Sequence, residues 1–274
     1  MILAMKELKT LVIWAWLLHL CFIASSAFAQ QDPSTMNGGS MMAMAGRDCA
    51  VLAVDKRFGS GPQMVTVAPR RCLVVNSKLM VSFTGLDGDV QTIAEELSIT
   101  ASNKISRETN GLDAIERRSI MTPRAMATIT SHVLYSKRSS PSFCEPLIVG
   151  LEANDLGGSI PSPNNSDTTK SKVMQRMINE RRKIKYKPFI CLSDMIGAQT
   201  TSRDFACAGA ASKSMYGTAE AMWQPGMSKD QLVQVCGRAF LSAMERDCLS
   251  GYGAIIYLIT PDGIEEYDLM CRND

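Results

Sequence analysis

Side chains that perform acid–base, nucleophilic or metal chemistry are sparse in this 274-residue sequence. His132 is the only histidine after residue 30, which excludes most histidine-based triads and histidine-rich metal sites. Nine cysteines are present, but none forms a Cys-x-x-Cys pair, so neither a zinc ribbon nor a thioredoxin-type redox site is indicated. Several stand in apolar runs, such as Cys49 before Val51–Val54, and we interpret them as reduced, buried thiols.

Nucleotide-binding and hydrolase signatures are also missing from the sequence. It contains no Gly-x-Ser-x-Gly, no phosphate loop and no His-Glu-x-x-His. The glycine-rich turn Ser250–Gly253 follows a predicted helix rather than a strand, so it does not favour a phosphate cradle. A net charge of +2 gives no electrostatic case for nucleic acid as the main partner. We therefore predict no cofactor, no metal ion and no nucleic acid for this chain.

The first half of the chain is predicted to begin with antiparallel strands and to continue with two helices. Apolar runs indicate buried strands, whereas Gly and Pro mark Phe58–Pro62 as a loop. The strands are predicted at Ser40–Ala45, Cys49–Val54, Met64–Val67, Arg71–Val75 and Leu79–Phe83. Apolar spacing predicts one helix over Asp89–Ala101 and a second that opens at Thr122-Pro123, with His132 beside its buried stripe.

The second half repeats this order of strands and then helices, and it ends in a hairpin. Strands are predicted at Pro146–Leu151 and Pro188–Leu192, followed by helices over Lys213–Trp223 and Lys229–Cys248. Two final strands, Ala254–Thr260 and Ile264–Leu269, flank the turn Pro261-Asp262-Gly263. Strands and helices in blocks indicate an α+β fold rather than a parallel βαβ sheet.

Residues 1–35 resemble a secretory signal peptide. Lys6 and Lys9 precede the apolar run Leu11–Ile23, and Ala27-Phe28-Ala29 gives a small-x-small cleavage site. The run is too short to indicate a membrane span. The alternative is an upstream extension of the reading frame, with the protein beginning at Met36. We favour the alternative, because nine scattered cysteines are more typical of a reducing compartment.

A polar insert is predicted at residues 152–187, between two strands. Its first part, Gly157–Thr169, is rich in Gly, Ser, Pro and Asn and should be flexible. Its second part is basic and could be a nuclear-localisation signal, an anion-binding patch or a solvated helical arm, of which we favour the arm. The basic residues are Lys170, Lys172, Arg176, Arg181, Arg182, Lys183, Lys185 and Lys187.

Short stretches along residues 36–274, apart from the insert, agree in type and order with one known family. They are Asn37–Cys49, Ala53–Gly59, Gln63–Thr66, Gly85-Leu86, Asp89–Thr92, Glu145-Pro146, Gly150-Leu151, Lys187–Cys191, Met215–Gly217 and Asp247–Gly251. Together they resemble the beta type-3 subunits of the proteasome core particle, which have an N-terminal nucleophile hydrolase fold. The resemblance implies a four-layer αββα sandwich, in which two antiparallel sheets stack face to face between outer helices.

The resemblance also implies where a catalytic site would lie. In active members of the family, an N-terminal threonine attacks the peptide carbonyl, its own amine acts as base, and a lysine and an aspartate tune the site. Here the nucleophile position is Gly39, which has no side chain, and the lysine position is Arg71, whose guanidinium keeps its charge. The serine that normally lies beside the nucleophile in the family is replaced here by Ala210. The residue types retained are Asp55, Gly85 (the oxyanion-hole glycine), Asp247 and Ser250.

These departures favour a structural, non-catalytic subunit over an active threonine-type endopeptidase. Thr35 and Ser40 lie near the nucleophile position, but neither stands at it. The resemblance implies alpha and beta partners in four stacked seven-membered rings, in cytoplasm and nucleus, without a membrane. A third hypothesis takes the leader literally and makes the chain a secreted binding protein; Asn164 begins a glycosylation sequon that tests it.

The resemblance further implies a contact with a neighbouring active subunit. The turn Asp194–Gly197 would face the substrate pocket of the trypsin-like subunit. Acidic and cysteine positions that often follow in the family are Ala198 and Thr200 here. We therefore expect Asp194 to have only a modest effect on the neighbour.

Overall fold

Twelve strands and four helices make up the part of the chain that a computed structural model describes. The strands are β1 (Ser40–Ala45), β2 (Ala50–Asp55), β3 (Arg57–Ser60), β4 (Gln63–Val67), β5 (Cys72–Asn76), β6 (Leu79–Gly85), β7 (Cys144–Asn154), β8 (Lys185–Ser193), β9 (Gln199–Ser202), β10 (Phe205–Gly209), β11 (Ala254–Thr260) and β12 (Gly263–Leu269). The helices are α1 (Asp87–Glu108), α2 (Pro123–Ser136), α3 (Ser212–Met222) and α4 (Lys229–Met244). The structure describes Pro33 and residues 36–61, 63–67, 71–108, 121–154 and 185–270.

Two five-stranded antiparallel sheets form the centre of the molecule. The first has the strand order β10-β1-β2-β11-β12, and the second has the order β5-β6-β7-β8-β9. The hairpin β3–β4 stands apart from both. Every pairing within the two sheets is antiparallel.

The side chains of β1 alternate between two apolar layers of the protein. Met41 and Ala43 lie in the apolar layer between the sheets, whereas Met42 and Met44 pack toward the helices, because successive side chains of a strand point to opposite faces. The strand is buried on both faces and therefore reads as a continuous apolar run. This double burial fixes its register, since a slip of one residue would exchange the two faces.

Helices cover the outer face of each sheet. α1 and α2 pack on the second sheet, around Phe83 and Ile148, while α3 and α4 pack on the first, around Val51 and Ile256. The resulting order of layers is helix, sheet, sheet, helix. The α+β sandwich expected from the sequence is confirmed.

Three strand predictions differ from the structure. Arg57–Ser60 is a strand, although its glycine marked Phe58–Pro62 as a loop; a Cβ at Gly59 would lie only 2.5–2.7 Å from the Arg57 guanidinium, so this glycine makes room for a side chain. β9 and β10 were not predicted. β9 is short and polar, and β10 is built largely from small residues, so neither has a distinct apolar pattern.

Four other elements begin or end a few residues away from their predicted bounds. α1 runs seven residues beyond its predicted end at Ala101, and α4 ends at Met244 rather than Cys248. β7 and β8 extend into the predicted insert and pair there, with Glu152 opposite Lys187. The leader, and residues 155–184 of the insert, lie outside the described residues.

Candidate functional site

The backbone of Gly39 is fixed on both sides where β1 begins. Its N–H donates to the Leu249 carbonyl at 3.3 Å, and its carbonyl accepts from the Ala210 N–H at 3.0 Å and from Thr84 Oγ1 at 3.3 Å. Its φ of +98° lies in the region that favours glycine. The position expected for a nucleophile is therefore held through its own backbone N–H and carbonyl.

Arg71 fills the space next to Gly39. Its guanidinium is buried and donates from Nη1 to the Gly38 carbonyl at 2.8 Å. A Cβ added to Gly39 would overlap this Nη1 atom and lie 3.1 Å from Cζ of the same guanidinium. The Nε and Nη2 atoms of Arg71 have no hydrogen-bond partner among the described residues, and the guanidinium lies 5.8 Å from the ring centroid of Phe58. Gly39 and Arg71 thus complement each other in size.

Asp55 ends β2 beside this pair, with its side chain buried. Its Oδ1 accepts from the Ser40 N–H at 3.1 Å and would lie 3.6 Å from a Cβ at position 39. Burial raises the pKa of Asp55 from 3.8 to about 7, against the opposing effects of the Ser40 N–H and the positive charge of Arg71. Near neutral pH, this carboxyl is therefore divided between its neutral and charged forms.

A chain of hydroxyls links Ser40 to Asp247. Ser250 donates from Oγ to Asp247 Oδ2 at 2.6 Å, and the two serine oxygens lie 2.6 Å apart. Since the single Ser250 proton goes to Asp247, Ser40 donates to Ser250, and Ser40 Oγ also accepts from the Ala211 N–H at 2.9 Å. Ser40 is buried and follows Gly39 in the chain, so it has neither a free hydroxyl nor a free amine. Thr35 lies outside the described residues.

Gly85 and Ala210 complete the set of expected site positions. Gly85 has a φ of +123°, and a Cβ there would overlap the Phe143 carbonyl across the β6–β7 pair, so packing alone requires a glycine. Gly85 directly follows Thr84, which reaches Gly39. Ala210 has no hydroxyl and contributes only its backbone N–H.

The structure thus brings six predicted positions into contact around the start of β1, with Gly85 one residue from Thr84. The six are Gly39, Asp55, Arg71, Ala210, Asp247 and Ser250. His132 is exposed on α2 and takes no part in these contacts. Within the described ranges, no group of three or more His, Cys, Asp or Glu side chains could hold a metal ion.

Sequence reasoning missed the role of Arg57. This side chain is almost completely buried, and it donates to the Leu249 carbonyl at 3.2 Å and to the Gly61 carbonyl at 2.8 Å. Gly38 and Gly59 leave room for its guanidinium, since a Cβ on either would lie within 2.7 Å of it. The only signal in the sequence is the cluster of glycines around an arginine.

The chain matches the model of a known protein family. The model of the family described as proteasome subunit matches residues 35–160 and 182–259, which is more than half of the chain. The chain belongs to the proteasome subunit family. The matched ranges include every expected site position, and the interruption between them falls within the predicted insert.

Curated relatives of this proteasome subunit carry the name proteasome subunit beta type-3. The Picea mariana protein is 33% identical over 238 residues, which is 87% of this chain and 97% of the relative. Proteasome subunit beta type-3-A of Arabidopsis thaliana is 32% identical over the same shares. The Trypanosoma brucei brucei protein is 31% identical over 88% of this chain and 98% of the relative.

The proteasome subunit carries a second polar feature at the turn between β8 and β9. Asp194 Oδ1 accepts from the N–H groups of Ile196 at 3.0 Å and Ala198 at 2.7 Å, so the carboxylate fastens the turn. Asp194 also lines a cleft of about 330 Å³ with Ser193 and Tyr216. Ser193 Oγ is buried there without a hydrogen-bond partner among the described residues.

Five of the described cysteines agree with the interpretation of reduced, buried thiols. Cys49, Cys144, Cys191, Cys207 and Cys236 are buried, whereas Cys72 is partly buried and Cys248 is exposed. Burial raises the pKa of Cys144 and of Cys207 to about 12, so both thiols stay protonated and unreactive. None of the helices that the structure describes is long and apolar enough to cross a bilayer.

We predict that Gly39→Thr destabilises the proteasome subunit without creating an active site. A side chain at φ +98° costs about 1–3 kcal/mol, and displacement of Arg71 removes its bond to Gly38 at a further cost of about 1–2 kcal/mol. The shorter side chain of Arg71→Lys should relieve the overlap. A double-mutant cycle by urea unfolding should therefore give a coupling of about 1 kcal/mol between the two positions. Simple additivity would contradict the size-complementary pair.

We also predict that Asp55 makes the stability of the subunit fall as the pH rises. The folded chain holds the Asp55 proton with a pKa of about 7 against an ordinary value of 3.8. This contribution is complete below pH 3.8 and is lost as the pH rises through 7. Between pH 5 and pH 8, the free energy of unfolding should fall by roughly 2–3 kcal/mol more in the wild type than in Asp55→Asn. The free energies of unfolding come from urea titrations at each pH. An equal change with pH in the two proteins would contradict this assignment.

Proposed function

We propose that this chain is a structural, non-catalytic beta type-3 subunit of the proteasome core particle, which supports protein degradation by completing a beta ring. One observation carries the proposal. The nucleophile position is a glycine, and the guanidinium of Arg71 occupies the space that a side chain at Gly39 would need. The names of the curated relatives support the assignment to beta type-3.

Hydrolysis by an N-terminal threonine needs a hydroxyl, a free amine on the same residue and a lysine that tunes both. Gly39 provides no hydroxyl, and its nitrogen is an amide that donates to the Leu249 carbonyl. Arg71 cannot exchange a proton near neutral pH. Loss of the nucleophile from a catalytic set that acts as a unit lowers turnover on the order of a millionfold.

The other retained residues support a structural role. Ser40, Ser250 and Asp247 use their polar groups to join the start of β1 to the loop before β11. Asp55 binds the backbone of Ser40, and Gly85 is required by the close approach of Phe143. Each of these residues therefore has a packing reason to persist in a subunit that performs no chemistry.

The partners that we propose are the alpha and beta subunits of the same particle, arranged as four stacked seven-membered rings in cytoplasm and nucleus. This placement agrees with free cysteines among the described residues. We propose that the native protein begins near Met36 and that Asn164 carries no glycan. N-terminal sequencing tests both this start and the secreted alternative, for which the chain would begin at Gln30.

Labelling of the assembled particle tests catalytic silence. We expect a threonine-directed covalent inhibitor to form adducts on neighbouring subunits and none on this chain, because Gly39 offers no hydroxyl. Mass spectrometry of each subunit gives the readout. An adduct on any residue of this chain would overturn the proposal, whereas the adducts on active neighbours serve as the internal control.

Asp194 is proposed to influence the pocket of the neighbouring trypsin-like subunit. Since its Oδ1 atom fastens the turn, Asp194→Asn removes the charge and keeps an acceptor, whereas Asp194→Ala removes both. An exposed charge contributes about 0.2–1 kcal/mol, so Asp194→Asn should weaken cleavage after basic residues by no more than about fivefold. Asp262→Asn, in the β11–β12 turn, is the matched control. If all peptidase activities fall together, Asp194 acts on assembly instead.

A further inference from the structure

A cleft of about 330 Å³ lies between the end of β8, the strand β10 and the start of α3. Its walls come from both sheets, since β8 belongs to the second sheet and β10 to the first. Ser193 ends β8, Ala208 belongs to β10, and Tyr216 lies in the second turn of α3. The cleft is therefore framed by elements whose positions the sandwich itself fixes.

Oxygen-bearing side chains make up much of the lining of this cleft. Two of them are carboxylates, Glu145 and Asp194, and the others are hydroxyls. The hydroxyl residues are Ser193, Thr200, Ser212 and Tyr216. None of the described residues that line the cleft is a lysine, an arginine or a histidine. The lining thus offers negative charge and hydrogen-bond acceptors without a cationic side chain of its own.

Ser193 contributes an unsatisfied hydroxyl to this lining. The residue is fully buried, and its Oγ atom has no hydrogen-bond partner among the described residues. Its backbone lies opposite Gln199 in the β8–β9 ladder, so the orphan group is the side chain alone. A buried hydroxyl without a partner is costly, and one that lines a cleft indicates a ligand group with which it forms a hydrogen bond.

Asp194 is held by its turn through one of its two carboxylate oxygens. The N–H groups of Ile196 and Ala198 both donate to Oδ1, and the Asp194 N–H donates to the Ala198 carbonyl at 3.0 Å. No described group donates to Oδ2. The carboxylate is therefore preorganised, and Oδ2 can accept a hydrogen bond from a ligand while the turn stays intact.

We propose that this cleft binds a primary ammonium group carried on an alkyl chain. The three N–H donors of an ammonium match the acceptors of Glu145, Asp194 and Ser193. Leu192 and Ala208, which also line the cleft, contact the alkyl chain. A lysine side chain of a neighbouring subunit and a free alkylamine share this chemistry, and only the first source rests on the proposed function.

The free source is tested on the assembled particle by methyl NMR, with Nα-acetyl-lysine amide as the probe. The methyl resonances of Leu192 and Ala208 should shift during the titration, whereas Nα-acetyl-norleucine amide, which lacks the ammonium group, should leave them in place. Ser193→Ala should weaken binding of the probe about tenfold, because it removes one acceptor. The same variant should keep its stability, since the hydroxyl that it removes has no partner among the described residues. Ser202→Ala on β9, outside the lining, is the control.

The neighbouring source is tested on the same particle by a carbodiimide, which joins a carboxylate to a lysine amine in contact with it. If a neighbour's lysine fills the cleft, mass spectrometry should find an inter-subunit bond at Glu145 or Asp194, and the probe should cause no shift. Glu145→Gln/Asp194→Asn should abolish this bond, whereas Asp204→Asn, in the turn before β10, should keep it.

A shift by the probe assigns the cleft to free amines, and a bond without a shift assigns it to a neighbour's lysine. Neither a shift nor a bond would overturn the proposal. So would equal shifts with Nα-acetyl-norleucine amide, or an unchanged affinity for the probe in Ser193→Ala. These results are independent of the inhibitor adducts that decide catalytic silence.

Discussion

The guanidinium groups of Arg57 and Arg71 are buried, and their need for hydrogen-bond acceptors organises the surrounding structure. A buried guanidinium is costly unless its protons meet acceptors. The carbonyls of Gly61 and Leu249 accept from Arg57, and the Gly38 carbonyl accepts from Nη1 of Arg71, whose Nε and Nη2 have no partner among the described residues. Because carbonyl oxygens approach a guanidinium most closely where no side chain intervenes, glycines surround the two arginines.

The polar residues around Gly39 all have structural contacts. The hydroxyl chain from Ser40 to Asp247, the carboxyl of Asp55 and the N–H of Ala210 all bind the backbone or one another. These contacts join the start of β1 to the end of β2 and to the loop before β11. Each of these polar groups therefore has a structural reason for its place, independent of any chemistry.

Apolar patterning predicted most of the core, because burial on both faces leaves an uninterrupted run in strands such as β1 and β2. The family resemblance pointed to seven positions, and the structure brings six of them into contact around the start of β1. Neither source revealed that Arg71 fills the missing side chain's space, since this depends on a tertiary contact. The strand Arg57–Ser60 was wrongly predicted as a loop, because Gly59 serves close packing rather than a turn. β10 escaped notice because small residues carry little periodic signal, yet it leads directly to the Ala210 N–H that binds Gly39.

The overlap between Arg71 and a side chain at position 39 constrains substitution at both positions. A chain with a residue larger than glycine at 39 has no room for the guanidinium in its present place, so this position of Arg71 is compatible only with glycine at 39. Once the arginine is in place, replacement of Gly39 alone is unfavourable. The pair is thus mutually constrained, and a single substitution at either position has no downhill route to a side chain at 39.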